Sequence, residues 1–407
     1  RIPYGMQNFE EIRERDCYYV DKTPFIEDIE ESNKYFFFIR PRRFGKSLTL
    51  SMLENYYDIN KKDKFEQLFG GLYIGENPTP EHNTYLIIHL NFSEVAAGID
   101  DYKKGLDGHC NIMFNHCCSI YQHLLPPNTK EEMNSKEGAV EQLAFLCQKA
   151  TEAKQKIYLF IDEYDNFTNM ILANEEHLVR YRKQTHGESY LRRFFNTIKG
   201  AAGGAIGRVF VTGVSPVTMD DLTSGFNIGT NYSLTPQFNE MTGFNEEEVR
   251  EMLGYYASVL PFNHTVDELI QKIKPWYDNY CFAEKEYGKT TMYNSVMVLY
   301  FLDNYINNEY CFPKNMVESN IRVDYDKIRM LIRHDKSFSH DASIIQELLT
   351  KGYVTGSLNE NFPAERINDP DNFLSLLFYF GMITINGTCD GATKFIIPNE
   401  VVRDQMY

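Results

Sequence analysis

The chain contains four apolar runs that alternate with long segments of helical spacing, and this alternation limits the folds open to it. The runs cover residues 34–40, 85–92, 156–162 and 208–214. Helices are predicted between them at 99–124, 136–154 and 189–203. Each run is apolar at consecutive positions, as in strands that are covered on both faces. The alternation predicts an α/β fold with a mostly parallel sheet and helices on both faces. Such sheets bind ligands beyond the carboxyl ends of their strands.

The first run leads directly into "RPRRFGKS", residues 40–47, which is followed by a segment of helical spacing. Gly45, Lys46 and Ser47 fit the end of the phosphate-binding pattern G-x-x-x-x-G-K-[ST], but Arg40 occupies the place of its first glycine. A helix N-terminus offers free N–H groups and a positive dipole end to phosphate. Lys46 can reach the terminal phosphates, and the Ser47 hydroxyl can ligate Mg²⁺. Position 40 is predicted to be extended, because arginine rarely adopts positive φ.

The third run ends directly in two acids, Asp162 and Glu163. A carboxylate at a strand end beside the phosphate loop is the second protein anchor that Mg²⁺ needs. The next carboxylate, Glu163, can orient or deprotonate the attacking water. Taken singly, the two motifs also fit a basic turn before an ordinary helix and an acidic, solvated turn. Their conjunction, in this order and with strands between them, predicts a nucleotide site.

Further groups around this site have two interpretations each. Thr212 or Ser215, at the end of the fourth run, is a candidate sensor of the terminal phosphate, although a threonine that only closes a strand is equally expected. Several arginines are candidates for neutralising transition-state charge, namely Arg40, Arg42, Arg43, Arg192 and Arg193. A surface or ion-paired role is favoured for each one alone. Of these arginines, Arg193 is predicted to be catalytic.

Composition narrows the class of protein. The chain has 407 residues, 43% of them hydrophobic, which is enough for two or three domains. A formal charge of −16 argues against a surface that coats nucleic acid. The sequence has no apolar run of about 18 residues that would span a membrane, and its first residues contain no signal-peptide core. The eight cysteines include no C-x-x-C pair and are interpreted as reduced thiols of a cytoplasmic protein.

Three histidines recur every seven residues, at His109, His116 and His123, and Cys110 and Cys117 recur with them. On a helix, residues seven apart are separated by about 10 Å along the axis. Zinc needs its ligands about 2 Å from a common centre. A packed or partner-facing stripe is therefore favoured over a metal site, which would need ligands from a second element.

From about residue 239 the pattern becomes mainly helical. Asn245, followed by three glutamates, predicts a helix start. Further helices are predicted at 265–275, 293–307, 324–334 and 341–351. The last part contains a helix and a hairpin, as in a winged helix, but its candidate recognition helix at 371–380 is apolar. Nucleic acid is not expected as a partner, because reading bases needs Arg, Lys, Asn or Gln there. The expected division is a core (1–238), a helical lid (239–335) and a winged-helix-like α+β module (336–407).

The order of several stretches resembles the bacterial AAA-ATPase-like family. The stretches are "YVDKTPFI", "RPRRFGKS", "YLIIHLNFS", "LFIDEYDNF", "VFVTGVSPVTMDDLTSGFN", "TGFNEEEV" and "PWYDNYCFAEKEYGKTTMYNS". The resemblance spans about residues 1–310 and implies a P-loop NTPase core, related to signal-transducing ATPases, with a helical lid and a winged-helix module. Arg40 is the residue usual in this family. A PD-(D/E)XK nuclease-like domain often follows in the family; its motif is not found here and is expected only beyond residue 407.

The resemblance also implies ATP and Mg²⁺ as cofactors, with Ser47 and Asp162 on the metal and Glu163 activating water. The predicted nucleotide contacts are Arg42, Arg43, Phe44, Gly45, Lys46, Ser47, Leu48 and Thr212. "YVDKT", residues 19–23, is expected to pack near the base or to brace the loop. One departure from the family pattern is Asn279, where members often have glycine, and it puts the turn there in question.

Three functions are consistent with these observations. The first is a slow ATPase switch, in which ATP closes the lid and winged-helix parts over the core, with an effector domain or a second copy as partner. The second is a non-hydrolysing nucleotide-binding scaffold for other proteins. The third, a nucleic-acid effector, is disfavoured by the apolar helix near the end. No guanine-reading N/T-K-x-D stretch is evident, and the residues alone do not separate ATP from GTP.

Overall fold

The computed structural model describes residues 1–95, 101–167, 189–217, 226–321, 339–363, 366–367 and 369–407. Its strands are β1 (Tyr35–Ile39), β2 (Tyr85–Asn91), β3 (Lys156–Asp162), β4 (Ile206–Gly213), β5 (Thr230–Asn231), β6 (Val354–Gly356), β7 (Thr384–Cys389) and β8 (Ala392–Ile396). The α-helices of the described part are α1 (Phe9–Glu14), α2 (Phe25–Glu31), α3 (Lys46–Tyr57), α4 (Phe65–Phe69), α5 (Tyr73–Glu76), α6 (Tyr102–Ile120), α7 (Thr129–Asn134), α8 (Gly138–Glu152), α9 (Tyr190–Ala201), α10 (Glu246–Val259), α11 (Val266–Tyr277), α12 (Ser295–Asn307), α13 (Ser339–Lys351), α14 (Pro370–Tyr379) and α15 (Glu400–Met406).

The first five strands form one parallel sheet in the order β2-β3-β4-β1-β5. The four predicted strands are confirmed, whereas the short strand β5 was not predicted. Strand β4 lies between β1 and β3, with Ile39 paired to Gly213 and Ile161 paired to Val211. The carboxyl ends of β1, β3 and β4 therefore meet at one edge of the sheet.

Helices cover both faces of this sheet, as predicted. On one face Phe36 and Phe38 pack with residues of α1, α2, α3 and α4. On the other face Phe37 and Ile39 belong to a cluster that includes residues of α6, α8 and α9. Because successive side chains of a strand point to opposite faces, two covered faces require apolar residues at every position. This explains the continuous apolar runs.

Helices α10, α11 and α12 contribute a separate hydrophobic core, the core of the lid. Asn245 accepts a hydrogen bond from the N–H of Glu248, and the Glu248 carboxylate accepts one from the N–H of Asn245. The predicted helix start is therefore confirmed as a capping box. The helices predicted at 265–275 and 293–307 are also confirmed. The helix predicted at 324–334 lies outside the described residues.

The last part of the chain forms an antiparallel sheet in the order β6-β8-β7, packed with α13 and α14. This confirms the helix and hairpin expected of a winged-helix-like module. All side chains of α14 from position 372 to 379 are buried. Phe378 joins the core of this module to Phe282, and through it to the core of the large sheet.

The turn at Asn279 keeps the geometry that a glycine would give. Asn279 has φ +87°, in the left-handed region that asparagine tolerates better than most residues. Its side-chain amide donates to the carbonyl of Pro398 at 3.0 Å, and the amide of Asn399 donates to the carbonyl of Asp278 at 2.9 Å. The departure from the family pattern therefore preserves the turn and fastens it to the segment before α15.

The histidines of the heptad pattern have different environments. His109, on α6, is buried, and its Nε2 accepts the N–H of Asn91 at 3.1 Å. His116 is exposed on the same helix, and His123 is exposed beyond the helix end. Nowhere in the described residues do three potential metal ligands cluster. His109 has the packing role that the spacing argument favoured.

Two further features bear on the expectations from composition. All eight cysteines are free thiols, and six of them are buried. Within the described ranges, no helix combines the length and the apolar character needed to cross a bilayer.

Candidate functional site

The loop between β1 and α3 has the backbone shape of an anion cradle. Gly45 has φ +81° and Arg43 has φ +69°; glycine adopts this conformation without a steric penalty. Arg40 is not among the residues with positive φ, as predicted. The first bond of α3 runs from the N–H of Thr49 to the carbonyl of Gly45, so the N–H groups of positions 45–48 precede the helical ladder. That arrangement suits a phosphate.

The loop and the acidic strand end meet directly. The hydroxyl of Ser47, the second residue of α3, donates to Oδ2 of Asp162 at 3.0 Å. Asp162 is buried at the end of β3 and accepts the N–H of Glu163 on Oδ1 at 2.8 Å. Although 115 positions separate the two residues in the chain, strand order places them at the same edge of the sheet.

Lys46 lies inside the curve of the loop. Its ammonium donates to the carbonyls of Arg40 and Pro41 at 2.8 and 2.9 Å. Burial lowers the pKa of Lys46, and the carboxylates of Glu163 and Asp162 oppose that shift. The loop thus holds a cation at its centre, where the charge of a phosphate would be neutralised.

Glu163 has a strained backbone. Its φ of +51° lies in the left-handed region, which is uncommon for residues other than glycine, asparagine and aspartate. Such strain costs about 1–3 kcal/mol and persists only where the surroundings enforce it. Because Glu163 is partly exposed and next to Asp162, its carboxylate is available to a water molecule or a ligand at the strand end.

Asp165 enforces this turn, and the sequence analysis missed it. The residue is fully buried, and its Oδ2 accepts the N–H groups of Val214 at 3.1 Å and Ser215 at 2.6 Å, directly after β4. Tyr164 donates its hydroxyl proton to the carbonyl of Ser215. Burial, and next the charge of Glu163, raise the pKa of Asp165 to about 6. In the sequence, Asp165 is visible as the last acid of "IDEYD". Its role is not, because its buried partners lie about fifty positions away.

We expect Gly213→Ala to destabilise the protein by about 2 kcal/mol, as for an overpacked core site. An added Cβ would lie 2.5 Å from Oδ1 of Asp165 and 2.6 Å from the ring of Tyr164. Gly108→Ala, on α6, is the matched control, because its Cβ would meet no atom within 4 Å. Urea unfolding measures both changes. Equal stability of Gly213→Ala and the wild type would show that the ends of β3 and β4 are not held so closely.

Ser47 and Asp162 contact each other, whereas Thr212 and Arg193 have other surroundings. The buried hydroxyl of Thr212 donates to the carbonyl of Phe38 at 2.6 Å and so braces β4 against β1. Arg193 is exposed on the first turn of α9. The sensor role of Thr212 and the catalytic role of Arg193 remain predictions.

The lid contacts backbone carbonyls of the loop. The carbonyl of Arg43 accepts the N–H of Val296 at 3.2 Å, and the carbonyl of Phe44 accepts the N–H of Gly243 at 3.0 Å. Arg43 also forms an ion pair with Glu318 at 2.9 Å. These contacts join the lid to the backbone of the loop.

The other predicted contact residues contribute in different ways. The ring of Phe44 is buried edge-on against Tyr280 at 4.7 Å between ring centres, so only its backbone is left for a phosphate. Leu48 packs against the core on the α3 side of the sheet, and Arg42 is partly exposed. A nucleotide contact of Phe44 or Leu48, as predicted, would therefore be made by the backbone.

The segment at 19–23 braces the lid. The ammonium of Lys22 donates to the carbonyl of Glu240 at 2.8 Å and to Oε1 of Glu248 at 2.9 Å. Glu248 is also the capping-box residue of α10. This contact reaches the lid and not the loop, so the two roles expected for the segment, packing near the base and bracing the loop, stay predictions.

The parallel sheet, with β4 between β1 and β3 and a glycine-lysine-serine loop after β1, defines a P-loop NTPase fold. The model of the family described as "Predicted AAA-ATPase" matches residues 3–223. The chain belongs to this AAA-ATPase-like family, as the resemblance implied, and this membership supports nucleotide binding.

Individual relatives are more distant. The chain is 27% identical over 282 residues to the "Uncharacterized protein in vnfD 5'region" of Azotobacter chroococcum mcd 1, a match that covers 69% of this chain and 48% of that protein. This chain therefore spans about half the length of that curated relative.

Two solved structures align along most of the chain. Cdc6p from Pyrobaculum aerophilum aligns with a TM-score of 0.36 and 12% identity, over 100% of this chain and 94% of its own. The ORC2 protein of Aeropyrum pernix, solved as ADPNP-ADP complexes, aligns with a TM-score of 0.34 and 8% identity, over 95% and 91%. Similarity this low carries no argument about the ligands of the present chain.

Proposed function

We propose that the chain binds ATP with Mg²⁺ and hydrolyses it slowly, as a conformational switch for an attached or partner effector domain. The observation that carries the proposal is the 3.0 Å contact between the Ser47 hydroxyl and Asp162. It brings the phosphate loop and the acidic strand end to one point. The eight free thiols of the chain fit a reducing compartment. We therefore propose that the protein is cytoplasmic.

The two oxygens of this contact fit a magnesium ion. Mg²⁺ prefers oxygen ligands in octahedral geometry at about 2.1 Å, so neighbouring ligands are about 3 Å apart. Ser47 Oγ and Asp162 Oδ2 are 3.0 Å apart. When bound, the ion would neutralise the charge of the phosphates. Ser47 and Asp162 are the residues that would hold it.

Other residues of the chain have the remaining roles in phosphate binding and hydrolysis. The N–H groups at 45–48 receive the phosphates, and Lys46 transfers its hydrogen bonds from the carbonyls of Arg40 and Pro41 to phosphate oxygens. Glu163 orients the water or accepts its proton. Asp165 holds the turn that aims Glu163, because it joins that turn to the end of β4.

The contacts between the loop and the lid support the proposed switch. When a phosphate takes over the hydrogen bonds of Lys46, the conformation of the loop changes. The carbonyls of Arg43 and Phe44 in this loop accept hydrogen bonds from Val296 and Gly243 of the lid region. The single tryptophan of the chain, Trp276, lies on α11 and packs partly buried against the lid core. We expect ATP with Mg²⁺ to change its fluorescence. An unchanged spectrum at saturating ATP, with binding shown separately, would contradict the switch.

Phosphate release tests the proposed reaction. We expect release from ATP in the presence of Mg²⁺ and none with excess EDTA, and a parallel assay with GTP determines the base preference. Tight ATP binding without turnover would instead support the non-hydrolysing scaffold. Absence of binding to either nucleotide would remove the proposal altogether.

A further inference from the structure

Arg40, which replaces the first glycine of the phosphate-binding pattern, is only 1% exposed. Its Nη1 donates to the carbonyls of Ile39 at 3.0 Å and Ser233 at 2.6 Å, and its Nη2 donates to that of Phe238 at 3.1 Å. Three carbonyls thus replace water around a charge that is otherwise costly to bury. Ser233 and Phe238 belong to the segment between β5 and α10, so these bonds tie the entry of the loop to the connection that leads into the lid.

Two aromatic rings enclose the same guanidinium. Its Cζ lies 4.3 Å from the ring centre of Phe38 and 4.2 Å from that of Phe282, a stacking that the planar guanidinium favours. Burial lowers the pKa of Arg40 to about 9, so the group stays charged at neutral pH. Among the described residues no carboxylate pairs with it. Phe282 also packs edge-on against Phe44 of the loop, with ring centres 5.3 Å apart.

Residues 40 and 41 contact both Lys46 and the C-terminal module. The carbonyls of Arg40 and Pro41 accept the hydrogen bonds of Lys46. Pro41 packs closely against Gly381, where an added Cβ would lie 2.9 Å from the Pro41 Cβ. Gly381 lies between α14 and β7. Residues 40 and 41 are therefore the place at which the core, the lid connection and the C-terminal module all meet the phosphate loop.

We propose that Arg40 is a positioning residue that sets the entry of the phosphate loop according to the arrangement of the lid and the C-terminal module. A glycine at this position would lack the contacts of the guanidinium with Ser233, Phe238 and Phe282, so only the later positions of the loop would contact those parts. With arginine, the carbonyls that hold Lys46 are fixed by contacts from Ser233, Phe238 and Phe282. The inference rests on the proposed function for the identity of the ligand, but the positioning is a property of the nucleotide-free protein as well.

Hydrogen exchange of the full nucleotide-free chain tests the positioning directly. Arg40→Lys removes the planar fork, and a lysine ammonium cannot both stack between two rings and serve three carbonyls. We expect exchange about tenfold faster in peptides covering 39–47, 233–240 and 378–383, as for the loss of one charged hydrogen bond. Unchanged exchange over 39–47 in this variant would overturn the proposal.

Arg208→Lys is the matched control, because Arg208 is also buried, with 3% exposure. It bonds to Glu81 at the amino end of the strands, away from the loop. We expect faster exchange around Glu81 and no change over 39–47. Faster exchange over 39–47 in this control, equal to that in Arg40→Lys, would also overturn the proposal, because it would indicate general destabilisation.

Phe282→Leu keeps the inference testable if Arg40→Lys fails to fold. It removes one ring from the guanidinium and leaves the sequence of the loop unchanged. Faster exchange over 39–47, of smaller size than in Arg40→Lys, is expected. Exchange like that of the wild type would contradict the role of the lid in positioning.

ATP turnover gives a second readout that separates this inference from the proposed function. In Arg40→Lys we expect KM for ATP to rise about tenfold with a smaller change in kcat, because Ser47, Asp162 and Glu163 are untouched. Arg208→Lys should keep the wild-type KM. A wild-type protein that neither binds nor hydrolyses ATP would refute the proposed function, while the exchange result would still decide the role of Arg40.

Discussion

Lys46→Ala is expected to weaken ATP binding about 100-fold, because the variant loses charge-assisted hydrogen bonds to the phosphates. Titration with a fluorescent ATP analogue measures the loss, and the stabilisation of the protein by ATP in thermal unfolding should vanish in parallel. Without nucleotide the variant should be about as stable as the wild type, because within the described residues the ammonium of Lys46 donates only to two carbonyls of its own loop.

Lys149→Ala is the control for this change. Lys149 lies on α8 with its side chain 17% exposed, paired with Glu132 and Glu152 far from the loop. It should bind ATP like the wild type. If Lys46→Ala also kept wild-type affinity, the loop would not be the phosphate site.

Glu163→Gln is expected to lower turnover of ATP by about 10²–10³-fold and to leave ATP affinity nearly unchanged. Glutamine keeps the shape of the side chain but cannot accept a proton from water. The side chain of Glu163 takes no part in the hydrogen bond between Ser47 and Asp162, the proposed metal ligands, so binding should persist. Single-turnover phosphate release together with equilibrium binding distinguishes the two effects.

Glu131→Gln, at an exposed position on α7, is the control for charge removal. It should turn over ATP at the wild-type rate. Turnover by Glu163→Gln equal to that of the wild type would assign the base to another residue.

The meeting of Ser47 and Asp162 could be predicted from sequence because each signal is local. An apolar run identifies a strand, and the residue that follows it lies at the carboxyl edge of a parallel sheet. No sequence pattern indicated, however, that β4 inserts between β1 and β3. That order depends on the pairing of positions 35–39 with positions 209–213, which lie far apart in the chain.

The roles of Arg40 and Asp165 could not be predicted for the same reason. In the sequence, Arg40 is one of three arginines around a loop, and nothing marks it as buried. Its partners Ser233 and Phe238 are 193 and 198 positions away. Asp165 bonds to backbone N–H groups, which every residue except proline carries, and so the partner has no signature in the sequence.

The measurement that tests the central claim most directly is a double-mutant cycle on metal–nucleotide binding. Mn²⁺ replaces Mg²⁺, and its binding with ATP is followed by electron paramagnetic resonance in the wild type, Ser47→Ala, Asp162→Asn and the double variant. If both oxygens hold one ion, each single change weakens binding and the double variant is little weaker than the poorer single variant. Losses that simply add, or single variants that bind Mn²⁺ with ATP as the wild type does, would contradict a shared metal site.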